Sequence, residues 1–440
     1  MKSVESTLKS VRLQGDAAIL ELTEKYDGAK LTPETLRVSK KEISDAVATI
    51  ESSKLAAIKA AIDSVTSFHS RNVPSNWQAR NAHNAVVGER FSPIQNVGLY
   101  IPGGKAPLCS TVIMTAIPAK VAGVPHLIIC TPPRKDGTVA PEILATAHFC
   151  GISEIYKVGG AQAIAAMAYG TATIPRVDKI AGPGNAYVVE AKRALFGFVG
   201  IDLLPGPSEL MVVVDRKTKA QWAAIDLLAQ AEHGSGRERL YIVSLDDSVE
   251  KRILDALHIE IHRYSEREAF LRESLEKNLC IINADSLRAA VEVINFVAPE
   301  HLELQTRGIY ERSLAESVTT AGAILSGHFT PAALGDFVAG PSHTLPTNRT
   351  GRFASGLRVE DFIRRSSFVR YDEKSIRLAN PIVSAFAGME GLKAHGDSVA
   401  IRQLPSRDKQ KRKEYSRPEV RKRRRTKAEM VKARAENLKK

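Results

Sequence analysis

At 440 residues the chain can bury a sizeable core and should divide into two or more domains. Its composition, 44% hydrophobic and 25% charged, is that of a globular protein and excludes a disordered or fibrous one. The net charge of +13 is local: residues 405–440 hold 16 Lys+Arg against 5 Asp+Glu, which leaves the body before them at +2 and without a general basic surface for nucleic acid.

Residues 1–70 mix charged and apolar residues at helical spacing, as in VESTLKSVRLQGDAAILELTEKY. The first sixteen residues lack the apolar centre of a signal peptide, and Lys120 and Pro125 interrupt the best candidate for a membrane span. Strands and helices then alternate. The β-rich runs are VGLYI (97–101), HLIIC (126–130), EIYKV (154–158) and a weaker VDKIA (177–181), with helical stretches such as Thr111–Ala122 and Ala161–Tyr169 between them. After Pro207 the pattern resumes with LMVVV (210–214), RLYIV (239–243), LCIIN (279–283) and AGAIL (321–325). This alternation predicts an α/β fold with two parallel sheets, one on each side of the GPSE segment. HLELQ (301–305) reads by pattern as a strand with His301 and Glu303 outward and its leucines inward. From about Ser355 the chain should turn helical, with Asn380-Pro381 as the start of a helix running toward His395-Gly396. The tail from 405 to 440, including RKRRRTK, reads as a solvated helix or coil, with weak polyanion binding as the alternative. Cys109, Cys130, Cys150 and Cys280 are widely spaced with no C-x-x-C, which suits reduced thiols in a cytoplasm and no cysteine metal site.

Two features could carry chemistry. IPGGKAP, VGGAQA and IAGPGNAY each follow a strand, where α/β proteins bind ligands. None is a G-x-G-x-x-G or Walker loop, and any one alone is an ordinary βα turn. Three in one sheet favour a ligand, and N–H groups at helix starts favour phosphate. The second feature is LLAQAEHGSG (227–236), where an apolar helix ends on polar residues. Gln230 and His233 share a face there, and a helix C-terminus favours a cation. Ordinary C-terminal polarity with Gly234 as a left-handed cap explains the same residues. Asp336 beside Gly335 reads alone as a turn residue, and His395 as a histidine near a helix end.

The segments GLYIPGGKAPLCSTV, VGGAQAIAAMAYGT, DKIAGPGNAYVVEAKR, IDLLPGPSEL, LLAQAEHG, APEHLEL, LGDFVAGPSHTLPT and GLKAHG, in this order, resemble histidinol dehydrogenase from about Ser6 to Arg402. The resemblance implies two incomplete Rossmann-like sheet domains of aldehyde-dehydrogenase-like architecture, a small C-terminal helical domain and the basic tail. Residues 1–99 and 208–352 would form a discontinuous domain with the zinc and catalytic residues, 100–207 an NAD-binding domain, and 353–404 a dimerisation segment. It implies one zinc per subunit held by Gln230, His233, Asp336 and, from the other subunit of a homodimer, His395. It also implies Glu300 and His301 as the catalytic pair, NAD at Tyr100, Gln162 and Asn185, and substrate contacts at Ser208, His343 and Glu390 beside the metal ligands and His301. The activity implied is the oxidation of L-histidinol to L-histidine through bound L-histidinal, the last step of histidine biosynthesis. The sequence departs from the family at Pro205, where alanine is expected, and at GPSH, where threonine-asparagine usually precedes the histidine. A related zinc dehydrogenase of another polar alcohol, such as a sulfonated diol, is the alternative; Glu390 favours a substrate bearing an amine.

Overall fold

A computed structural model describes residues 2–103, 107–233 and 236–403. The chain divides into two compact units, Met1–Ser75 with Phe91–Arg365, and Asn76–Arg90 with the chain from Ser366 onward. The N-terminal spacing is realised as five helices, α1 (Lys2–Gln14), α2 (Asp16–Asp27), α3 (Pro33–Leu36), α4 (Lys40–Thr49) and α5 (Ser52–His69). Strands β1 (Trp77–Arg80) and β2 (Val86–Pro93) follow as an antiparallel pair.

The first parallel sheet takes β3 (Asn96–Tyr100), β4 (His126–Thr131), β5 (Ile155–Lys157), β6 (Lys179–Ala181) and β7 (Gly200–Ile201). Helices α6 (Cys109–Val121), α7 (Pro141–Phe149), α8 (Gly160–Tyr169) and α9 (Ala186–Leu195) connect them. The expected domain boundary between residues 99 and 100 falls inside β3. The strand order is β5-β4-β3-β6-β7, so the chain winds outward from β3 and then returns to its other side. The carboxyl ends of β3 and β6 therefore flank a topological switch point, where open α/β sheets leave a crevice.

The second sheet repeats the scheme with β8 (Glu209–Val214), β9 (Arg239–Ser244), β10 (Leu279–Asn283), β11 (His301–Gln305) and β12 (Ala323–Ser326) in the order β10-β9-β8-β11-β12. Its helices are α10 (Ala220–Ala231), α11 (Asp247–Glu260), α12 (Glu268–Asn278), α13 (Leu287–Val297) and α14 (Gly308–Ser317), and α15 (Ala332–Phe337) follows β12. Alternate residues of β8 feed opposite cores: Leu210, Val212 and Val214 pack with α10 and α11, whereas Met211 and Val213 pack with Ala290 and Ile294 of α13. Burial on both faces is why this strand reads as an unbroken apolar run.

The C-terminal segment departs from the all-helical expectation. Strand β13 (Ile363–Arg370) comes first and completes a three-stranded sheet in the order β1-β2-β13. Helix α16 (Glu373–Met389) then begins at Asp372, whose carboxylate accepts from the Ser375 N–H at 2.8 Å. Pro381 lies inside α16 instead of opening it. The helix also stops at Met389, and His395 sits in the first turn of a new helix, α17 (Lys393–Ala400).

Candidate active site

The site is built at the amino edge of the second sheet. α13 ends at Ala298, which takes a left-handed φ of 49° and donates its N–H to Ile294 O at 2.7 Å. For a residue with a Cβ this conformation costs roughly 1–2 kcal/mol. The reversal delivers Glu300 and His301 to the start of β11, where His301 lies opposite Leu210 of β8 and Ala323 of β12. α10 runs back along the sheet after β8, so its C-terminal Gln230 arrives at the same edge.

HLELQ is a strand, but the polar face assigned to solvent is buried: His301 is 5% exposed, Glu303 0% and Gln305 3%. β11 lies between two strands and is covered on both sides, which an isolated five-residue pattern does not reveal. His301 Nδ1 lies 3.4 Å from the Glu209 carbonyl and 3.8 Å from Glu300 Oε2, while Nε2 lies 3.5 Å from Asp336 Oδ1. Glu300 Oε2 accepts the Glu209 N–H at 2.8 Å, which fixes the carboxylate beside the imidazole. Burial lifts Glu300 to about 7, opposed chiefly by the neighbouring imidazole. Burial works against the His301 imidazolium, yet the carboxylates of Asp336 and Glu300 outweigh it and raise the group to about 9. Burial would likewise raise Asp336, but His301, His343 and His233 hold its carboxyl below the ordinary value. Burial lowers His343, whose Nδ1 meets the Asp336 carbonyl at 3.0 Å and whose Nε2 lies 3.3 Å from Thr111 Oγ1.

The proposed metal ligands meet in part. Gln230 is buried in the last turn of α10, and His233 lies just beyond the helix end. His233 Nδ1 sits 3.2 Å from the Gln230 carbonyl and 3.4 Å from the Gln230 side-chain amide nitrogen, so its Nδ1 faces Gln230. A backbone carbonyl on one ring nitrogen is the usual support for a histidine that coordinates through the other. Asp336 lies in α15 rather than in a turn, within electrostatic reach of His233. Amide, imidazole and carboxylate make a donor set that suits zinc. Among the described residues no group of three His, Cys, Asp or Glu is disposed to hold a metal within the chain. His395 and Glu390 belong to the second unit, where both are exposed; Glu390 directly follows α16 as its C-cap, and the His395 N–H bonds to Leu392 O at 2.9 Å. Gly234, the expected cap, lies outside the described residues, as do part of IPGGKAP and the basic tail.

The three expected cofactor residues occupy the carboxyl end of the first sheet. Tyr100 closes β3, and its hydroxyl accepts the Gly160 N–H at 3.1 Å; burial pushes the phenol up to about 12. Gln162 stands buried in the first turn of α8. Asn185 caps α9, its Oδ1 accepting from Tyr187 N at 3.0 Å and Val188 N at 3.2 Å. Between them Gly182 runs at φ 118° with Tyr100 O only 2.1 Å from where a Cβ would stand, so this turn admits glycine alone. A buried ion pair, Lys192 with Asp202, grips both ends of this glycine: Lys192 Nζ donates to Gly182 O and Asp202 accepts from Gly182 N.

Sequence reasoning singled out Ser208 but passed over its neighbour Glu209, which is 1% exposed and orders the site. Glu209 Oε1 accepts from Arg239 and from Asn348 N, both at 3.0 Å, while its backbone holds Glu300 and His301. Its signal was a carboxylate directly preceding the apolar run LMVVV. Ser208 itself is half-buried, and its carbonyl accepts from Arg239 N at 2.9 Å.

A family model described as histidinol dehydrogenase matches residues 1–403. The chain is 44% identical over 401 residues to the histidinol dehydrogenase of a Synechococcus strain, covering 91% of this chain and 92% of the relative. It is 42% identical over 402 residues to that of Symbiobacterium thermophilum, covering 91% and 90%. The crystal structure of histidinol dehydrogenase from Elizabethkingia anophelis superposes with a TM-score of 0.87 at 35% identity, covering 91% of each chain. With the family model matching residues 1–403 and these relatives alike over nine-tenths of their length, the chain belongs to the histidinol dehydrogenase family.

Proposed function

We propose that this oxidoreductase converts L-histidinol to L-histidine in the cytoplasm, using two NAD and passing through enzyme-bound L-histidinal. The observation that carries it is the buried Glu300–His301–Asp336 arrangement, in which one imidazole stands between two carboxylates. In its unprotonated form His301 would accept the alcohol proton while NAD, when bound, supplies the hydride acceptor, and it would release that proton before the second oxidation. Glu300 would take a proton from the water that adds to the aldehyde, and His301 would accept the hydrate proton in the second oxidation, whose hydride a second NAD would take up. Gln230, His233, Asp336 and His395 of the partner subunit would hold zinc, which supplies a Lewis acid for the substrate oxygen. Ser208, His343 and Glu390 would orient the substrate, with the Glu390 carboxylate pairing its ammonium. Tyr100, Gln162 and Asn185 would receive NAD, the region 100–207 serving the cofactor and the regions 1–99 and 208–352 the chemistry. The segment 353–404 would serve the homodimer. No helix among the described residues is long and apolar enough to cross a membrane.

Shared sites make a direct test available. Gln230→Ala and His395→Ala homodimers should each be nearly inactive. Refolding them together should restore about a quarter of wild-type activity, because half the dimers are mixed and each mixed dimer owns one intact site. Mixtures no more active than their components would place all four ligands within one chain or remove one from the site.

A further inference from the structure

We infer that Glu303 is a positioning residue for the metal-binding side of this site, because its buried carboxyl group joins the three elements that carry His301, Gln230 and Asp336. The inference rests on the proposed zinc site and names a residue outside its ligand set. Glu303 Oε1 accepts the Ala332 N–H at 2.7 Å, and Oε2 accepts from Gln305 Nε2 at 2.8 Å. The same Gln305 nitrogen donates to Asp226 Oδ2 at 2.7 Å. Each tie falls close to a proposed functional side chain. Asp226 precedes Gln230 by one turn of α10, Ala332 precedes Asp336 by one turn of α15, and Glu303 follows His301 by two residues on the same face of β11. α15 has no capping side chain of its own at Pro331, so Glu303 holds the start of that short helix from the sheet.

Stability alone does not account for this arrangement. Burial raises the carboxyl groups of both Glu303 and Asp226, and the Asp226 charge takes Glu303 on to about 8. Gln305 Oε1 is buried without a hydrogen-bond partner among the described residues. Polar groups this deep, incompletely satisfied and facing a helix whose neighbouring core is Leu227, Leu228 and Ala231, hold a strand position that leucine could fill. Replacing buried ionisable networks by apolar residues is often neutral or stabilising. What leucine could not do is fix the distances between β11, α10 and α15.

The test uses the full-length protein with Glu303→Leu and Glu303→Gln. Zinc retention is measured by competition with a chromophoric chelator, together with thermal melting and separate KM values for histidinol and NAD. Glu303→Leu is expected to melt no lower than wild type, to hold zinc about 10–100-fold more weakly and to raise the KM for histidinol while leaving that for NAD unchanged. Glu303→Gln should recover most of the zinc affinity, since its amide oxygen can still accept the Ala332 N–H. A folded Glu303→Leu protein with wild-type zinc retention overturns the inference. Should Glu303→Leu fail to fold, Asp226→Leu probes the same link from α10: weakened zinc retention supports it and wild-type retention overturns it. A wild-type protein that binds no zinc sinks the functional reading first, and this inference with it.

Discussion

His301 turns one nitrogen to the Glu209 carbonyl and Glu300 and the other to Asp336, so its two neighbouring carboxylates occupy different sides of one ring. That geometry lets Glu300 and His301 be separated experimentally. His301→Asn should depress both hydride transfers, because both require a proton acceptor. Glu300→Gln should spare the alcohol step and slow oxidation of supplied histidinal, by about 10²–10⁴-fold if general-base assistance is lost. Since burial lifts Glu300 to about 7, its basic form grows as pH rises through that value. Aldehyde oxidation by the wild type should therefore increase across neutral pH, and that limb should vanish in Glu300→Gln. A Glu300→Gln enzyme that oxidises histidinal normally but fails on histidinol would mean the two roles are reversed.

Asn185 caps α9 and, in the proposed function, would also meet the cofactor. Its Oδ1 satisfies two N–H groups of α9, and truncation to alanine should cost about 1 kcal/mol of stability. Asn185→Asp keeps the cap and should melt like the wild type, yet its charge would oppose a pyrophosphate at the helix start. The prediction is a raised KM for NAD in both variants, with the KM for histidinol changed less; an unchanged NAD response would move the cofactor elsewhere. In the first sheet β3 and β4 were legible as apolar runs such as HLIIC because their residues are largely buried, whereas β7, two half-buried residues, was not read at all. The outer sheet was not: β1 is exposed throughout and β13, IRRSSFVR, is mostly exposed and strongly basic, so neither shows the alternation that marks a half-buried strand. Asn380-Pro381 misled for a local reason, since an Asn-Pro pair resembles a helix start even where Asp372 has already capped the helix. His301 and Glu303 misled for a tertiary one, because only the packed sheet shows that their face is covered.

At the scale of the molecule, the proposed function would have two sheets with the same winding serve at opposite ends. The first offers its carboxyl end, with Tyr100, Gln162 and Asn185, and the second its amino edge, with Glu300 and His301. The motif order read from sequence identified the family because eight separate segments had to agree, whereas no single segment distinguished a ligand site from a turn or a cap. Burial, the reversal at Ala298 and the role of Glu209 required the folded chain. The central claim is a four-electron oxidation completed on one enzyme. The most direct measurement supplies the zinc-loaded protein with limiting L-histidinol and excess NAD and follows the absorbance of NADH to completion. The account predicts two NADH per histidinol, with histidine as the product and no free aldehyde trapped. One NADH per histidinol with aldehyde released, or no NADH from histidinol while another polar alcohol is oxidised, would contradict it.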